Sequence, residues 1–234
     1  MRQRLLLLAA VCVFAMTCAQ NAVAECEDHP EPGVDWSGCT KSRLLLEEED
    51  LQGANFHGAE LAATSFVDSN LTGADLSEAH LDKARFNGAL LTGANLTKAE
   101  FGRAELMGAN LTDARMEKAE LPRANLSDAI LVGANLEKAE LGRAVLVNAD
   151  LANVNLRDAY LARADLRGAR LGGADLSGAE FYLADLRGAD LSQATGLVSL
   201  QLVETCGDET TKLPPDIDPP AAWPCASRGE EEDD

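Results

Sequence analysis

The sequence predicts an all-β solenoid, in which a chain of short straight segments turns four corners and then stacks on itself. Three observations predict this fold class. Every fifth residue from Leu51 to Leu191 is Leu, Phe or Met, over 29 successive positions. Aromatic residues make up only 4% of the chain, so the predicted core consists of small, uniform side chains. The residue two places before each large one is Ala in 25 of the 29 repeats, the exceptions being Glu49, Thr64, Ser69 and Val154.

A period of five residues fits neither a straight helix nor a straight strand. A helix turns about 100° per residue, so a five-residue period forms no stripe along its surface. A strand alternates its side chains between two faces, so an odd period would turn every second Leu outward. The chain must therefore bend once per repeat, and four bends close a square coil of about 20 residues that rises by ~4.8 Å. The repeats predict about seven coils and a rod ~35 Å long.

The repeat unit resembles that of a known family. Units such as Ala74-Asp75-Leu76-Ser77-Glu78 and Ala94-Asn95-Leu96-Thr97-Lys98 are similar to those of pentapeptide-repeat proteins. The resemblance implies a right-handed quadrilateral β-helix whose central Leu or Phe and preceding small residue point inward. The glycines at the last repeat position suit bends that need unusual backbone angles; examples are Gly53, Gly73, Gly93, Gly133 and Gly173.

The chain divides into five predicted segments. These are a signal peptide (1–24), an N-terminal cap (25–48), the solenoid (49–195), a C-terminal cap (196–229) and a disordered acidic tail (230–234). The first segment has Arg2 and Arg4, a short apolar run, and the small residues Ala22-Val23-Ala24 before a cleavage point. This pattern is typical of a secretory signal. An uncleaved anchor and a lipoprotein modified at Cys18 are the alternatives.

The predicted signal peptide determines where the mature protein is expected to be located. We expect a periplasmic or secreted protein with no membrane span after signal cleavage, because no later apolar run is long enough for one.

Each end of a solenoid needs a cap to cover its unpaired edge. In the N-terminal cap, Trp36 is expected to cover the first Leu layer. In the C-terminal cap, residues 197–205 are predicted to form a short helix with Leu197 and Leu200 on one side and Gly207 after its end.

Four cysteines remain after signal cleavage, namely Cys26, Cys39, Cys206 and Cys225. An even number in an oxidising compartment suggests two disulfides. Metal binding is the competing interpretation, although neither pair has the short spacing of a zinc knuckle. A rod of ~35 Å between the two pairs favours Cys26–Cys39 and Cys206–Cys225, each worth roughly 3 kcal/mol. The segments 32–39 and 206–208 also resemble the ends of exported bacterial members of the family.

No residue pattern indicates an enzyme. His29, His57 and His80 lie in a cap or at outward positions, without the partners of a nucleophile or a metal site. A core filled with Leu and Ala leaves no cavity, whereas small-molecule sites are concave. We therefore expect no catalytic residues, no cofactor and no metal.

Residues 20 positions apart are expected to stack into columns on the outer surface. Three such columns are charged, and opposite charges in adjacent columns are expected to neutralise one another. They are Lys98, Lys118 and Lys138; Glu100, Glu120 and Glu140; and Arg103, Arg123, Arg143 and Arg163.

Two groups of apolar residues at outward positions are candidate interaction sites. The first group lies on two adjacent faces and the second on one face near the end of the rod. They contain Leu90, Ile130, Val132, Val145 and Val147, and Tyr160, Tyr182 and Leu183.

These features favour a non-enzymatic, exported structural or interaction module whose partner is an unidentified protein or a second copy of itself. The family resemblance offers an alternative, because some cytosolic members mimic duplex DNA and bind DNA gyrase. The net charge of −19 fits that alternative, but the basic columns and the signal peptide oppose it, and nucleic acid is an unlikely partner. A third hypothesis is ice or surface binding by a threonine column of Thr72, Thr92 and Thr112, which Val132, Ala152 and Gly172 interrupt.

Overall fold

The computed structural model describes residues 26–225 of the chain. The predicted signal peptide and the predicted acidic tail lie outside the described residues. Within the described range the regular structure consists of single-residue parallel bridges and one 3-10 helix, η1 (Ser199–Leu202). No helix within these residues has the length and apolar character that a membrane span requires.

Each bridge pairs a residue with the one 20 positions later, as the five-residue period predicts. Asp35 pairs with Asn55, Asn55 pairs with Asp75, and this column continues in steps of 20 to Thr195. Backbone hydrogen bonds join successive coils at each bridge: Leu51 N donates to Asn70 O at 2.8 Å, and Asn70 N donates to Glu49 O at 2.9 Å. The chain therefore rises as a four-sided coil.

The four sides are named here by their outward bridge columns. Side 1 runs from Asp35 to Thr195 and side 2 from Thr40 to Glu180. Side 3 runs from Leu45 to Asp185 and ends on Cys206, and side 4 runs from Asp50 to Asp190 and ends on Lys212.

A tight turn separates one side from the next. In a representative turn, Ala54 N donates to Leu51 O at 3.1 Å, and Gly53 between them has a φ of +66°. Positive φ at the second central residue defines a type II turn, which glycine adopts without strain. Lys and Arg hold the same position in other repeats, with φ of +58° at Lys118 and +60° at Arg123. The predicted role of the glycines is confirmed, but the fold also forces bulky residues into the left-handed region.

The core is a continuous stack of Leu and Ala columns that are almost completely buried. Phe side chains replace Leu mainly in the first half of the rod, where they form a ladder. Trp36 packs edge-on against Phe56 with ring centroids 5.8 Å apart, and Phe66 stacks on Phe86 at 4.8 Å.

The repeat begins earlier in the chain than the predicted boundary at residue 49. The bridges start at Asp35, directly after a turn in which Val34 N donates to Glu31 O. Trp36 holds a Leu position in the core, where it is 1% exposed. Val34, Cys39 and Leu44 stand where later repeats have Ala, so the Ala signal is absent although the backbone is the same. Eight steps of 20 residues separate Asp35 from Thr195, more than the seven coils expected from the Leu run alone.

The C-terminal cap also differs from its predicted form. The predicted helix over 197–205 is replaced by the four-residue helix η1. Leu197 is buried but Leu200 is 81% exposed, so the two do not share one side. After η1 the chain rejoins the coil, because Cys206 N donates to Ala184 O and Lys212 N donates to Ala189 O. The Gln201 side chain donates to Leu176 O and Ala179 O at 2.9 and 2.7 Å, which satisfies carbonyl groups at the end of the stack.

Each cap contains one of the two predicted cysteine pairs at disulfide distance. The Cα atoms of Cys26 and Cys39 are 5.6 Å apart, and those of Cys206 and Cys225 are 5.5 Å apart. Cys39 is buried at an Ala position in the first coil, so this pair ties the N-terminal segment to the core.

Candidate interaction surface on side 2

Side 2 carries two parallel rows of opposite charge. The acidic column (Glu100, Glu120 and Glu140) lies along the bridge positions in the middle of the side. The arginine column (Arg103, Arg123, Arg143 and Arg163) lies along the turn that leads to side 3, and all four side chains are exposed.

Small residues lie between the two charged columns. Gly102, Pro122, Gly142 and Ala162 form this floor column. Two shallow depressions of about 330 and 270 Å³ share Pro122 and are bordered by members of the arginine column. Tyr160 lines the second depression, and a Cβ atom placed on Gly142 would lie 3.1 Å from its ring. The missing side chain at Gly142 therefore leaves room for the tyrosine ring.

The predicted neutralisation between adjacent charged columns does not occur in the structure. Ion pairs instead join Lys98 to Glu78 and Lys138 to Glu137, at 2.7 and 2.8 Å. The reason is the bend between columns: glutamates lie in the middle of a side, whereas lysines and arginines lie at turns. A lysine at a turn is closest to residues of its own turn or to the residue stacked beneath it.

One histidine is held within the acidic row. His80 Nδ1 lies 2.8 Å from Glu100, and Nε2 lies 3.7 Å from Glu60. The hydrogen bond to Glu100 raises the pKa of His80, and the charges of Glu100, Glu60 and Asp82 act in the same direction. Partial burial, followed by the charges of Glu140 and Glu100, raises the pKa of Glu120. Stacked carboxylates on side 2 therefore repel one another and attract cations.

The C-terminal end of side 2 carries exposed apolar side chains beside two glutamates. Tyr182, Val198 and Leu200 line a depression of about 260 Å³ together with Glu180 and Glu204, and the three apolar residues are 54%, 55% and 81% exposed. Tyr160, which is 45% exposed, pairs with Glu180 one coil below this depression. Tyr160, Tyr182, Val198 and Leu200 form the apolar cluster.

Sequence reasoning placed only part of this cluster. It identified Tyr160 and Tyr182 from their register on one side, together with Leu183, which is only partly exposed at the adjoining turn. It did not identify Val198 and Leu200 as surface candidates, because it assigned residues 197–205 to a short helix with Leu197 and Leu200 on one side. The five-residue register ends at Gly196, so the repeat could not predict whether Val198 and Leu200 point inward or outward.

The other predicted apolar group is less continuous. Leu90 and Ile130 lie in one column of side 4, 45% and 40% exposed, but Asn110 separates them. Val132 lies beside Ile130, while Val145 and Val147 lie on side 3, and all three valines are partly buried.

Two of the three threonines in the side 4 column use their hydroxyl hydrogens within the protein. The hydroxyl of Thr72 donates to Asn70 at 2.7 Å, and that of Thr112 donates to Asn110 at 2.7 Å. Among residues 26–225, no group of three or more His, Cys, Asp and Glu side chains is arranged to hold a metal ion.

Together, the stacked coils, the filled core and the outer columns of charged and apolar residues define a rod-shaped repeat protein. Two family models match the chain: "Pentapeptide repeats (8 copies)" over 119–158, 129–168 and 155–193, and "Pentapeptide repeat region" over 42–116. The chain belongs to the pentapeptide-repeat family, and its fold is the right-handed quadrilateral β-helix of that family.

Solved structures resemble the chain to different degrees. HetL, a pentapeptide-repeat protein involved in heterocyst differentiation regulation in the cyanobacterium Nostoc sp. strain PCC 7120, is 30% identical, with a TM-score of 0.51. The match covers 74% of this chain and 84% of HetL. Full-length QnrB1, a plasmid-mediated fluoroquinolone resistance protein, is 19% identical over 77% of this chain and 91% of its own, with a TM-score of 0.48. No curated protein matches the chain.

Proposed function

We propose that this protein is a non-enzymatic, exported interaction module that docks a protein on side 2. The apolar cluster carries this proposal. Leu200 and Val198 are among the most exposed large apolar side chains of residues 26–225, and they lie beside the exposed ring of Tyr182. Contiguous exposed apolar side chains bordered by charged residues are characteristic of protein interfaces.

The proposal of export is supported by the cysteine pairs and by the N-terminal pattern. Two cysteine pairs at disulfide distance fit an oxidising compartment. The small and basic residues of segment 1–24 fit a cleaved signal. In such a compartment, a rod clamped at both ends by disulfides presents a surface that changes little on binding.

Site-specific photo-crosslinking tests the proposed docking surface. A photoreactive residue replaces Tyr182 in one variant of the exported protein and Met107 in a matched control. Met107 is 42% exposed on side 3, so it offers a comparable apolar side chain on a different surface. We expect a discrete crosslinked protein band from position 182 and none from position 107. Equal crosslinking from both positions, or none from position 182, would contradict docking on side 2.

A further inference from the structure

The charged columns of side 2 indicate which partner fits this surface, an inference that rests on the docking function proposed above. We propose that two copies of this chain associate through side 2 with their rods parallel. In this dimer, the arginine column of each copy lies against the acidic column of the other.

Apart from Glu100, which holds His80, the members of both columns are available for an external partner. Among the ion pairs within residues 26–225, none includes a member of the arginine column, and none includes Glu120 or Glu140. Elsewhere on the rod, Arg167 and Arg187 each contact a carboxylate on their own side. Within residues 26–225, side 2 therefore differs from side 3 in that its row of exposed guanidinium groups forms no ion pair with the row of carboxylates beside it.

The two columns match each other in spacing and in height along the rod. Both columns repeat once per coil, about 4.8 Å apart, and Glu120 and Arg123 belong to the same repeat. A two-fold axis parallel to the rod keeps each residue at its own height but exchanges left and right. With the axis midway between the columns, Glu120 faces the partner's Arg123, and Arg123 faces the partner's Glu120. Such an isologous contact is self-complementary and closed.

The order of the columns across side 2 fixes the relative direction of the two rods. If the rods were antiparallel, each arginine column would lie against the other arginine column, and like charges across an interface are strongly unfavourable. The parallel arrangement also brings the two apolar clusters together at the C-terminal end. Charge pairing and apolar contact therefore select the same orientation.

The floor column between the charged columns carries no side chain at Gly102 and Gly142 and short ones at Pro122 and Ala162. The Asp82 carboxylate and the Tyr160 ring occupy the space above the two glycines. The long arginine side chains of one copy must therefore pass beside these two groups to reach the other copy's carboxylates.

Two charge-reversal variants test this dimer. The all-basic variant carries Glu100→Arg, Glu120→Arg and Glu140→Arg, and the all-acidic variant carries Arg103→Glu, Arg123→Glu and Arg143→Glu. Sedimentation equilibrium of the exported, disulfide-bonded protein should give a dimer for the wild type. Each variant alone should dissociate at least ~100-fold more readily, because every pair across the interface becomes repulsive. An equimolar mixture of the two variants should restore the dimer, because each acidic row then faces a basic row.

A matched control separates local pairing from total charge. The substitutions Lys98→Glu, Lys118→Glu and Lys138→Glu change the net charge as much as the all-acidic variant does, but at the opposite edge of side 2. This control should retain the wild-type dimer. A monomeric wild type, or a mixture of the variants that fails to associate, would overturn the dimer. If position 182 nevertheless crosslinks to a different protein, the docking function stands and only the self-association fails.

Discussion

At the residue scale, two hydroxyl groups explain why the Ala column has exceptions near the N-terminus. Thr64 Oγ1 donates to Lys41 O at 2.7 Å and accepts from Leu44 N at 3.4 Å. Ser69 contacts Leu46 O and Glu49 N in the same way. In other repeats the corresponding amide and carbonyl bond directly to each other. The hydroxyl groups therefore complete two turns that do not close by themselves.

Replacement of Thr64 by Val should destabilise the protein by about 1 kcal/mol, because it keeps the volume of a buried side chain and leaves a partly buried amide and carbonyl without that partner. Urea unfolding of the disulfide-bonded protein measures this loss. Thr92→Val makes the same chemical change at a partly exposed site on side 4 and should cost less than about 0.5 kcal/mol. Equal effects of the two substitutions would contradict the role assigned to Thr64.

A second prediction at this scale concerns Asp190 on side 4. Hydrogen bonds from Lys212 at 2.8 Å, and then from Ser192, lower the pKa of Asp190 from 3.8 to about 2. A carboxylate with a depressed folded-state pKa stabilises the protein above its unfolded-state pKa, and this contribution is lost as the pH falls through the folded-state value.

Asp190→Asn should therefore lower the melting temperature at pH 6, and the difference from wild type should shrink between about pH 4 and pH 2. The effect should be small, about 1 kcal/mol or less, because the Lys212 side chain is 66% exposed. Lys212→Met should remove most of the same pH-dependent difference. A difference in melting temperature that persists unchanged at pH 2 would rule out this linkage.

At the element scale, the C-terminal cap depends on close packing between Gly207 and Trp223. A Cβ atom on Gly207 would lie 2.4 Å from the Trp223 ring, which is too close for any real contact. The ring is fixed, because its Nε1 donates to Thr205 O at 2.9 Å and Cys225 closes the loop behind it. The absence of a side chain at Gly207 thus allows the tryptophan to cover the last coil.

Gly207→Ala should destabilise the cap by about 1–3 kcal/mol, because overpacking displaces the ring. The measurements are the melting temperature and the rate of proteolysis within residues 206–225. Gly172→Ala is the matched control, because Gly172 has no positive φ and no atom near its added Cβ. A Gly207→Ala protein with wild-type stability and protease resistance would show that Trp223 does not close the rod.

The caps are also the elements for which sequence reasoning was least complete. The inward columns and the corners could be predicted because one five-residue register determines them from Leu51 to Leu191. Trp36 and Cys39 stand at a Leu position and an Ala position of the same register, but a search for Leu and Ala does not find them because the residue types differ. At Gly196 the register stops, and the direction of Leu200 then depends on how η1 meets the last coil. That packing is a tertiary property which no local period encodes.

At the scale of the whole molecule, the rod is an array of coils that contact only their neighbours. Each internal coil is bonded to the coil before it and the coil after it, as Asn135 is bridged to Arg115 and Asn155. Stability in such an array is approximately a sum of local interfaces. The two ends differ from the middle because each contains a cysteine pair.

Ala134 provides the last prediction, because it is fully buried near the middle of the rod. Ala134→Glu would place an unpaired carboxylate in the core, which costs several kcal/mol or opens the adjacent coils. Native-state hydrogen exchange should show lost protection at amides of residues 114–154 and retained protection near Phe56 and Leu186, since the end coils keep their own neighbours and disulfides. Ala152→Glu, on the outer surface of side 4, should leave protection unchanged. A uniform loss of protection along the chain would mean that the rod unfolds as one cooperative unit and not coil by coil.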